Sequence, residues 1–429
     1  MSDPFAGNEL VRALGRWAGR GASVEGLTRL PGGASKETWS FDAVAPDGSR
    51  TELILRRDVP GRPSEPGVLD RESSAISLAH DAGLPVPELL FSFTAQAGGG
   101  AAGMIMRRVP GETIARKILR DEAYATARVL LVSQLARFAA GLHGLADKPD
   151  PSFFPTPDPL VVLRAQLDMF AGTGQHSDVF ELAMDWLGAH QPPDRDPVLV
   201  HGDFRLGNLI VGPEGLRAVL DWEITHLGNP AEDLGWLCVK AWRFGAGQPV
   251  AGVGSRDELL AAYQAAGGAA ISPAELHWWE VLGTLRWGVI CLTQAWAHLS
   301  GAHRSVELAT IGRRVCEQEW DLLLLDPDSA ARAAASRPRP TGAAQPSPAP
   351  YGRPTASELL EAVREFLQVT VLPQTSGQLS FHARVAANAV GIVLRELELR
   401  SVPPDADLAG LVAARLAVAN PKYFESLQP

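Results

Sequence analysis

In a chain of 429 residues, two motifs place side chains that could act on one reacting group. The first is His201-Gly202-Asp203-Phe204-Arg205-Leu206-Gly207-Asn208 and the second is Leu220-Asp221-Trp222-Glu223. Between them run two short apolar stretches around Gly212-Pro213-Glu214-Gly215, a turn with Pro at its second position and Gly at its fourth. An antiparallel hairpin brings its open ends together. Asn208 and Asp221 stand at those ends, so their oxygens are expected to face one point. Hard oxygens suit Mg²⁺, which usually takes one or two carboxylates and fills its shell with water and phosphate oxygens. Asp203 leaves the same loop toward an acceptor. This set fits phosphoryl transfer, where positioning and charge neutralisation outweigh strong base catalysis. Asp and Asn also cap backbone groups in loops. The two motifs and the hairpin together favour chemistry over capping.

The elements that must position these residues can be read from periodicity. Residues 1–20 form a short helix. From about Val24 to Val109 the pattern is strand-rich with one helix over 69–82. Strands over 38–45 and 51–57 pair around Pro46-Asp47-Gly48, and strands over 91–94 and 104–108 pair across Gly98-Gly99-Gly100. After Pro110 the pattern is mostly helical apart from the hairpin. The fold class expected is α+β and bilobal: a small β-rich lobe over 1–109 and a larger helical lobe over 110–326, with a nucleotide between them. Residues 327–353 are rich in Ala, Pro, Ser and Arg and read as a flexible tether. Over 354–429 the helical pattern resumes with Leu359, Leu360, Val363, Phe366 and Leu367, and Thr355 to Glu358 could form a capping box. A second helix spans 382–399. A module this small is marginal alone, so it is expected to pack on the preceding domain or on a partner protein.

Composition narrows the function classes. A net charge of −10 argues against a nucleic-acid binder and against an anionic-membrane anchor. Cys238, Cys291 and Cys316 lack metal-site spacing, and so few cysteines suggest a reducing, cytoplasmic compartment. Met1 to Leu10 shows no basic region followed by an apolar run, so no secretory signal is expected. The most apolar stretch, Val129 to Leu142, carries Ser133, Gln134 and Arg137 and reads as a buried soluble helix.

The motifs resemble the catalytic and metal-binding segments of the aminoglycoside phosphotransferase family, which has a protein-kinase-like fold. The resemblance implies ATP as co-substrate, Asp203 as the catalytic residue, and Asn208 and Asp221 as Mg²⁺ ligands. Asp221-Trp222-Glu223 replaces Asp-Phe-Gly, and no Ala-Pro-Glu segment follows, which speaks against a protein kinase. In the family a Gly-Gly-x-Ser turn stands where this chain has Gly32-Gly33-Ala34-Ser35, so Ser35 is a nucleotide-binding candidate. Arg56 occupies the place of the usual phosphate-binding Lys, and Glu72 that of its carboxylate partner. Arg at this position either binds phosphate or only pairs with Glu72. Met104 to Val109 would be the hinge, with the backbone at Met106 and Val109 meeting adenine. Asp233 resembles the Asp that accepts backbone hydrogen bonds from the catalytic loop, and His201 is structural. The wording is most similar to kinase domains attached to some acyl-CoA dehydrogenases, over about residues 25–325. That implies a small-molecule hydroxyl acceptor such as a hydroxyacyl-CoA, whose phosphates suit basic residues. Aminoglycosides are polycations that call for an acidic pocket. Arg243, Arg286 and Arg304 lie among the tryptophans downstream of Asp233 instead, which disfavours a resistance role. The competing expectation is a nucleotide-binding pseudokinase that scaffolds a partner through 354–429, kept open by the Arg at position 56.

Overall fold

The computed structural model describes residues 8–19, 21–30, 36–59, 63–95, 101–146, 149–171, 176–303, 305–325, 356–399 and 406–424. Ser35, the Gly98-Gly99-Gly100 loop, Arg304, Thr355 and the tether over 327–353 lie outside them.

Short alternating segments punctuated by turn residues build the N-terminal sheet. After helix α1 (Asn8–Ala18) come β1 (Ser23–Arg29), β2 (Lys36–Val44) and β3 (Arg50–Asp58). β2 and β3 pair antiparallel from Lys36↔Asp58 to Val44↔Arg50. The turn between them closes because the Asp47 carboxylate accepts the Ser49 N–H at 2.9 Å and Gly48 takes φ 85°, a left-handed conformation that costs Gly little. Helix α2 (Val68–Asp81) follows, then β4 (Leu89–Phe93) and β5 (Gly103–Arg107). The sheet order is β1-β2-β3-β5-β4. Leu14, Phe41, Leu53, Leu55 and Ile105 fill its core. The expected strands and the helix over 69–82 are all present, displaced at their ends by up to two residues.

The remainder is mainly helical. Helices α3 (Ala115–Arg120) and α4 (Ala125–His143) follow the sheet; α4 is the apolar stretch that contains 129–142. Helices α5 (Pro159–Ala171) and α6 (Asp178–Ala189) come next. Four short strands carry the motifs: β6 (Val198–Val200), β7 (Leu209–Gly212), β8 (Gly215–Val219) and β9 (His226–Gly228). Then come α7 (Ala231–Cys238), α8 (Arg256–Ala265), α9 (Pro273–Leu299), α10 (Val306–Gly312) and α11 (Val315–Leu325). Helices α12 (Ala356–Glu365), α13 (Gly377–Leu399) and α14 (Leu408–Ala419) close the described chain. The class is α+β with a kinase-like division into a β-rich region and a mainly helical remainder. Among the described residues no helix is long and apolar enough to cross a membrane.

Close packing groups the chain into two compact units. One compact unit comprises Met1–Pro157, Asp194–Cys238 and Trp242–Leu276; the other comprises Asp158–Pro193, Val239–Ala241 and His277–Pro429. In the first, segments flanking the sheet are joined to the β7–β8 hairpin through backbone bonds, with Glu112 and Val211 exchanging N–H···O bonds at 2.9 and 3.0 Å and Val219 donating to Pro85 at 2.9 Å. Within the second, the C-terminal helices are tied to α11 by buried polar groups. Tyr423 donates its hydroxyl to Asp321 at 2.6 Å, Asn420 donates to Glu317 at 3.1 Å, and Arg415 pairs with Glu319 at 2.9 Å. Buried carboxylates need such partners. The described C-terminal helices thus pack on helices of their own chain within this unit.

Candidate active site

β6 and β9 pair antiparallel, Val200 opposite His226, and this pair delivers His201-Gly202-Asp203 to the end of a strand. Gly202 takes φ 79°, and a Cβ there would lie 2.7 Å from the Ile224 carbonyl oxygen. Only Gly fits without a shift. Asp233 on α7 holds the loop from behind. Its carboxylate accepts the N–H of His201 at 2.8 Å and of Gly202 at 2.9 Å. His143 Nε2 reaches the same carboxylate at 3.2 Å, and its Nδ1 meets the Tyr263 hydroxyl at 2.8 Å. Burial alone would raise the Asp233 pKa; the hydrogen bond and charge of His143, with the loop amides, outweigh it and hold the group below the usual carboxylate range.

His201 is fully buried, and that burial lowers its pKa despite the nearby carboxylates of Asp233, Asp203 and Asp221. Its partners fix the neutral tautomer: Nδ1 accepts the Asp203 N–H at 3.1 Å and Nε2 donates to the Leu220 carbonyl at 3.0 Å. Both ring nitrogens are spent on backbone, so His201 is structural.

The Asp203 carboxylate is gripped by three donors. Oδ1 accepts from Arg205 Nε at 2.9 Å and from the Trp236 indole N–H at 2.8 Å; Oδ2 accepts from Asn208 Nδ2 at 2.6 Å. The Arg205 guanidinium also stacks over Trp242, 4.6 Å from the ring centroid. Asn208 spends its amide nitrogen on Asp203, on the carboxylate and on the backbone carbonyl at 3.0 Å. Its amide oxygen is therefore the end left for a ligand.

β7 and β8 form the expected hairpin, Leu209 opposite Val219 and Gly212 opposite Gly215. Past its open end Leu220 donates to the Asn208 carbonyl at 2.8 Å, which brings Asp221 beside Asn208. Trp222 anchors this end: it is 1% exposed, donates its indole N–H to Val219 at 3.1 Å, and its ring lies 4.6 Å from that of His201. Asp221 takes φ 70°, one of few non-Gly residues here in the left-handed region. Its carboxylate is ion-paired with Arg56. Burial would raise the Asp221 pKa, but the charge of Arg56 and its hydrogen bond more than offset this and keep it low.

Arg56 on β3 reaches three carboxylates: Glu72 Oε1 at 2.8 Å, Asp221, and Glu223 Oε2 at 3.5 Å. These partners raise its pKa against the effect of burial. Glu72 on α2 is 0% exposed, and its other oxygen pairs with Lys36 Nζ at 2.7 Å. At the segment expected to be the hinge, Met106 is buried in β5 opposite Ile54 and Leu89. Arg107 and Arg108 give their amides to Glu88 and Glu52 at 2.9 and 3.0 Å, so the backbone leaves the sheet at Val109.

The structure thus brings Arg56, Glu72, His201, Asp203, Asn208, Asp221 and Asp233 into one connected network. Sequence reasoning missed Lys36, His143 and Tyr263, and gave no role to Arg205 or Trp236. Trp236 was within reach, since it follows Asp233 by three residues on one helix and shares its face. Lys36 carried a weaker signal, a charged residue heading a half-apolar strand. His143 ends an apolar helix and shows no local motif.

The donor set fits Mg²⁺: one amide oxygen from Asn208 and a carboxylate kept ionised at Asp221 are the protein ligands such a cation needs when phosphate and water complete the shell. Among the described residues no group of three or more His, Cys, Asp or Glu converges as a metal cage.

The model of the phosphotransferase enzyme family matches residues 26–279. The chain belongs to that family. Residues 373–411 match a domain of unknown function, DUF6285. Acyl-CoA dehydrogenase family member 11 of Gallus gallus is 32% identical over 190 residues, 39% of this chain and 22% of that protein. Acyl-CoA dehydrogenase family member 10 of Mus musculus is 48% identical over 61 residues, 14% of this chain and 6% of that protein. The chain therefore spans less than a quarter of these relatives. Among solved structures, a Ralstonia eutropha protein assigned as an aminoglycoside phosphotransferase superposes with TM-score 0.54 at 22% identity, covering 74% of this chain and 98% of that one. An amicoumacin kinase gives TM-score 0.50 at 15% identity, covering 76% and 96%. These two share the fold.

Proposed function

We propose that this phosphotransferase is Mg²⁺-dependent and moves the γ-phosphate of ATP to a hydroxyl of a small-molecule metabolite. The observation that carries the reading is the convergence of Asp203, Asn208 and Asp221, with Asp203 held by Asn208 at 2.6 Å and Asp221 set beside Asn208 by the hairpin.

Asp203 orients the acceptor hydroxyl and takes its proton as the acceptor oxygen bonds to the γ-phosphorus and the bond to the β,γ-bridging oxygen breaks. Asn208 and Asp221 would hold the cation, which when bound neutralises charge on the phosphates. A basic residue paired with Glu72, together with Ser35, positions the phosphates, and the backbone around Met106 and Val109 receives the adenine. Asp233 and His201 keep the loop in shape. The amicoumacin kinase structure contains AMP-PNP, Ca²⁺ and its drug, which supports a nucleotide with a divalent cation here.

Arg205, stacked on Trp242 beside the proposed base, suits an acceptor bearing anionic groups better than a polycationic aminoglycoside. A hydroxyacyl-CoA meets that description and accords with the acyl-CoA dehydrogenase relatives. A cytoplasmic setting is consistent with Cys238, Cys291 and Cys316, which are buried and outside any disulfide among the described residues.

The test is ADP release over hydroxyacyl-CoAs, amino alcohols and aminoglycosides, with the wild type and Asp203→Asn. Release that depends on one hydroxyl acceptor and disappears in the variant supports the proposal. Nucleotide binding without transfer to any acceptor would move the reading to a pseudokinase scaffold acting through its C-terminal helices.

A further inference from the structure

Two cations share one buried carboxylate, and they are not equivalent. Lys36 opens β2 and Arg56 lies on β3 opposite Thr38, so Lys36, two residues before Thr38, is its diagonal neighbour on the same face. Both reach Glu72, Lys36 at 2.7 Å and Arg56 at 2.8 Å. Arg56 is committed beyond that, bridging Glu72 to Asp221 and Glu223. Drawing it toward a phosphate would strip partners from three carboxylates at once, one of them fully buried. Lys36 is 3% exposed, and among the described residues its ammonium has one partner, Glu72. An ammonium carries three N–H donors, and a buried donor left unmade is costly.

We infer that Lys36, rather than Arg56, is the cation that binds the ATP phosphates, and that Arg56 is a positioning residue tying the metal-binding Asp221 to Glu72. This rests on the site being a nucleotide site, as proposed above. The three carboxylates outnumber the two cations, so a divalent ion at Asp221 reverses the local balance in favour of an anion arriving beside Lys36.

The experiment is titration calorimetry on the full chain with AMP, ADP and ATP, each with and without Mg²⁺, for wild type, Lys36→Met, Lys36→Arg and Arg56→Met. Lys36→Met is expected to lower ATP affinity about ten- to a hundredfold, the scale of a lost charge-assisted hydrogen bond, while AMP binding stays within about twofold. Lys36→Arg should recover most of the loss. Arg56→Met should shift the Mg²⁺ dependence rather than the discrimination of ATP from AMP. Equal losses of AMP and ATP in Lys36→Met, or no loss at all, would overturn the assignment. A folded wild type that binds no nucleotide overturns it too, along with the reading beneath it, and is seen before any variant is tried.

Discussion

The indole N–H of Trp236 donates to Oδ1 of Asp203 at 2.8 Å, from the same helix whose Asp233 carboxylate accepts the His201 N–H and holds the loop from behind. Oδ1 thereby accepts two hydrogen bonds, from Trp236 and from Arg205 at 2.9 Å, which hold the carboxylate in one orientation. Trp236→Phe keeps the ring and removes the donor. We expect kcat to fall about tenfold with KM for ATP unchanged, since small misplacement of a reacting group is expensive. Steady-state kinetics would show this, and an equal rise in KM for ATP would contradict it.

Asp233 is a buried carboxylate that satisfies two backbone amides and His143. Asp233→Ala should cost about 3–5 kcal/mol, the usual penalty for breaking a buried charged pair. Because its folded pKa lies below the unfolded value, its contribution is present above about pH 4 and is lost as pH falls further. Denaturant melts at neutral and acid pH read both effects. A melt of the variant that matches wild type at neutral pH would refute the assignment.

His201 shifts in the same direction for a different reason. Burial lowers its folded pKa, so below about pH 6.5 the unfolded chain binds a proton that the folded one refuses. Stability should therefore decline as pH drops through the interval under 6.5. His201→Gln should flatten that slope whatever it does to the midpoint. Thermal melts at pH 5 to 8 check this, and an unchanged slope in the variant would count against it.

Gly202→Ala places a methyl group 2.7 Å from the Ile224 carbonyl at a backbone angle of φ 79°. Strain of about 1–3 kcal/mol should displace the loop that carries Asp203. We expect kcat/KM to drop far more than the thermal midpoint. A variant of normal activity would show that the loop tolerates movement.

The candidate site was legible where residues that meet in space lie close in sequence. Asp203 and Asn208 sit on one turn, and the Gly-Pro-Glu-Gly turn announced the hairpin that sets Asp221 beside them. The sheet strands were legible because their apolar alternation is interrupted by Pro46-Asp47-Gly48. Contacts across long separations were not. Nothing local tells that His143, at the end of an apolar helix, meets Asp233, or that Lys36 shares Glu72 with Arg56. The packing of the C-terminal helices was hidden for a related reason: the pattern over 354–429 shows amphipathic helices but not that α11 carries the buried Glu317, Glu319 and Asp321 they pair with. Acidic residues on a helix read as a solvated face until their partners are known.

The most direct measurement is titration of Mg·ATP into wild type and Asp221→Asn. Asn is the right replacement because Asp221 sits at φ 70°, a region that Asn tolerates and Ala does not, so the change removes charge without straining the backbone. The account predicts Mg²⁺-dependent binding in the wild type and its loss in the variant, with both proteins folded. Binding of equal strength in the two, or none in the folded wild type, would contradict it.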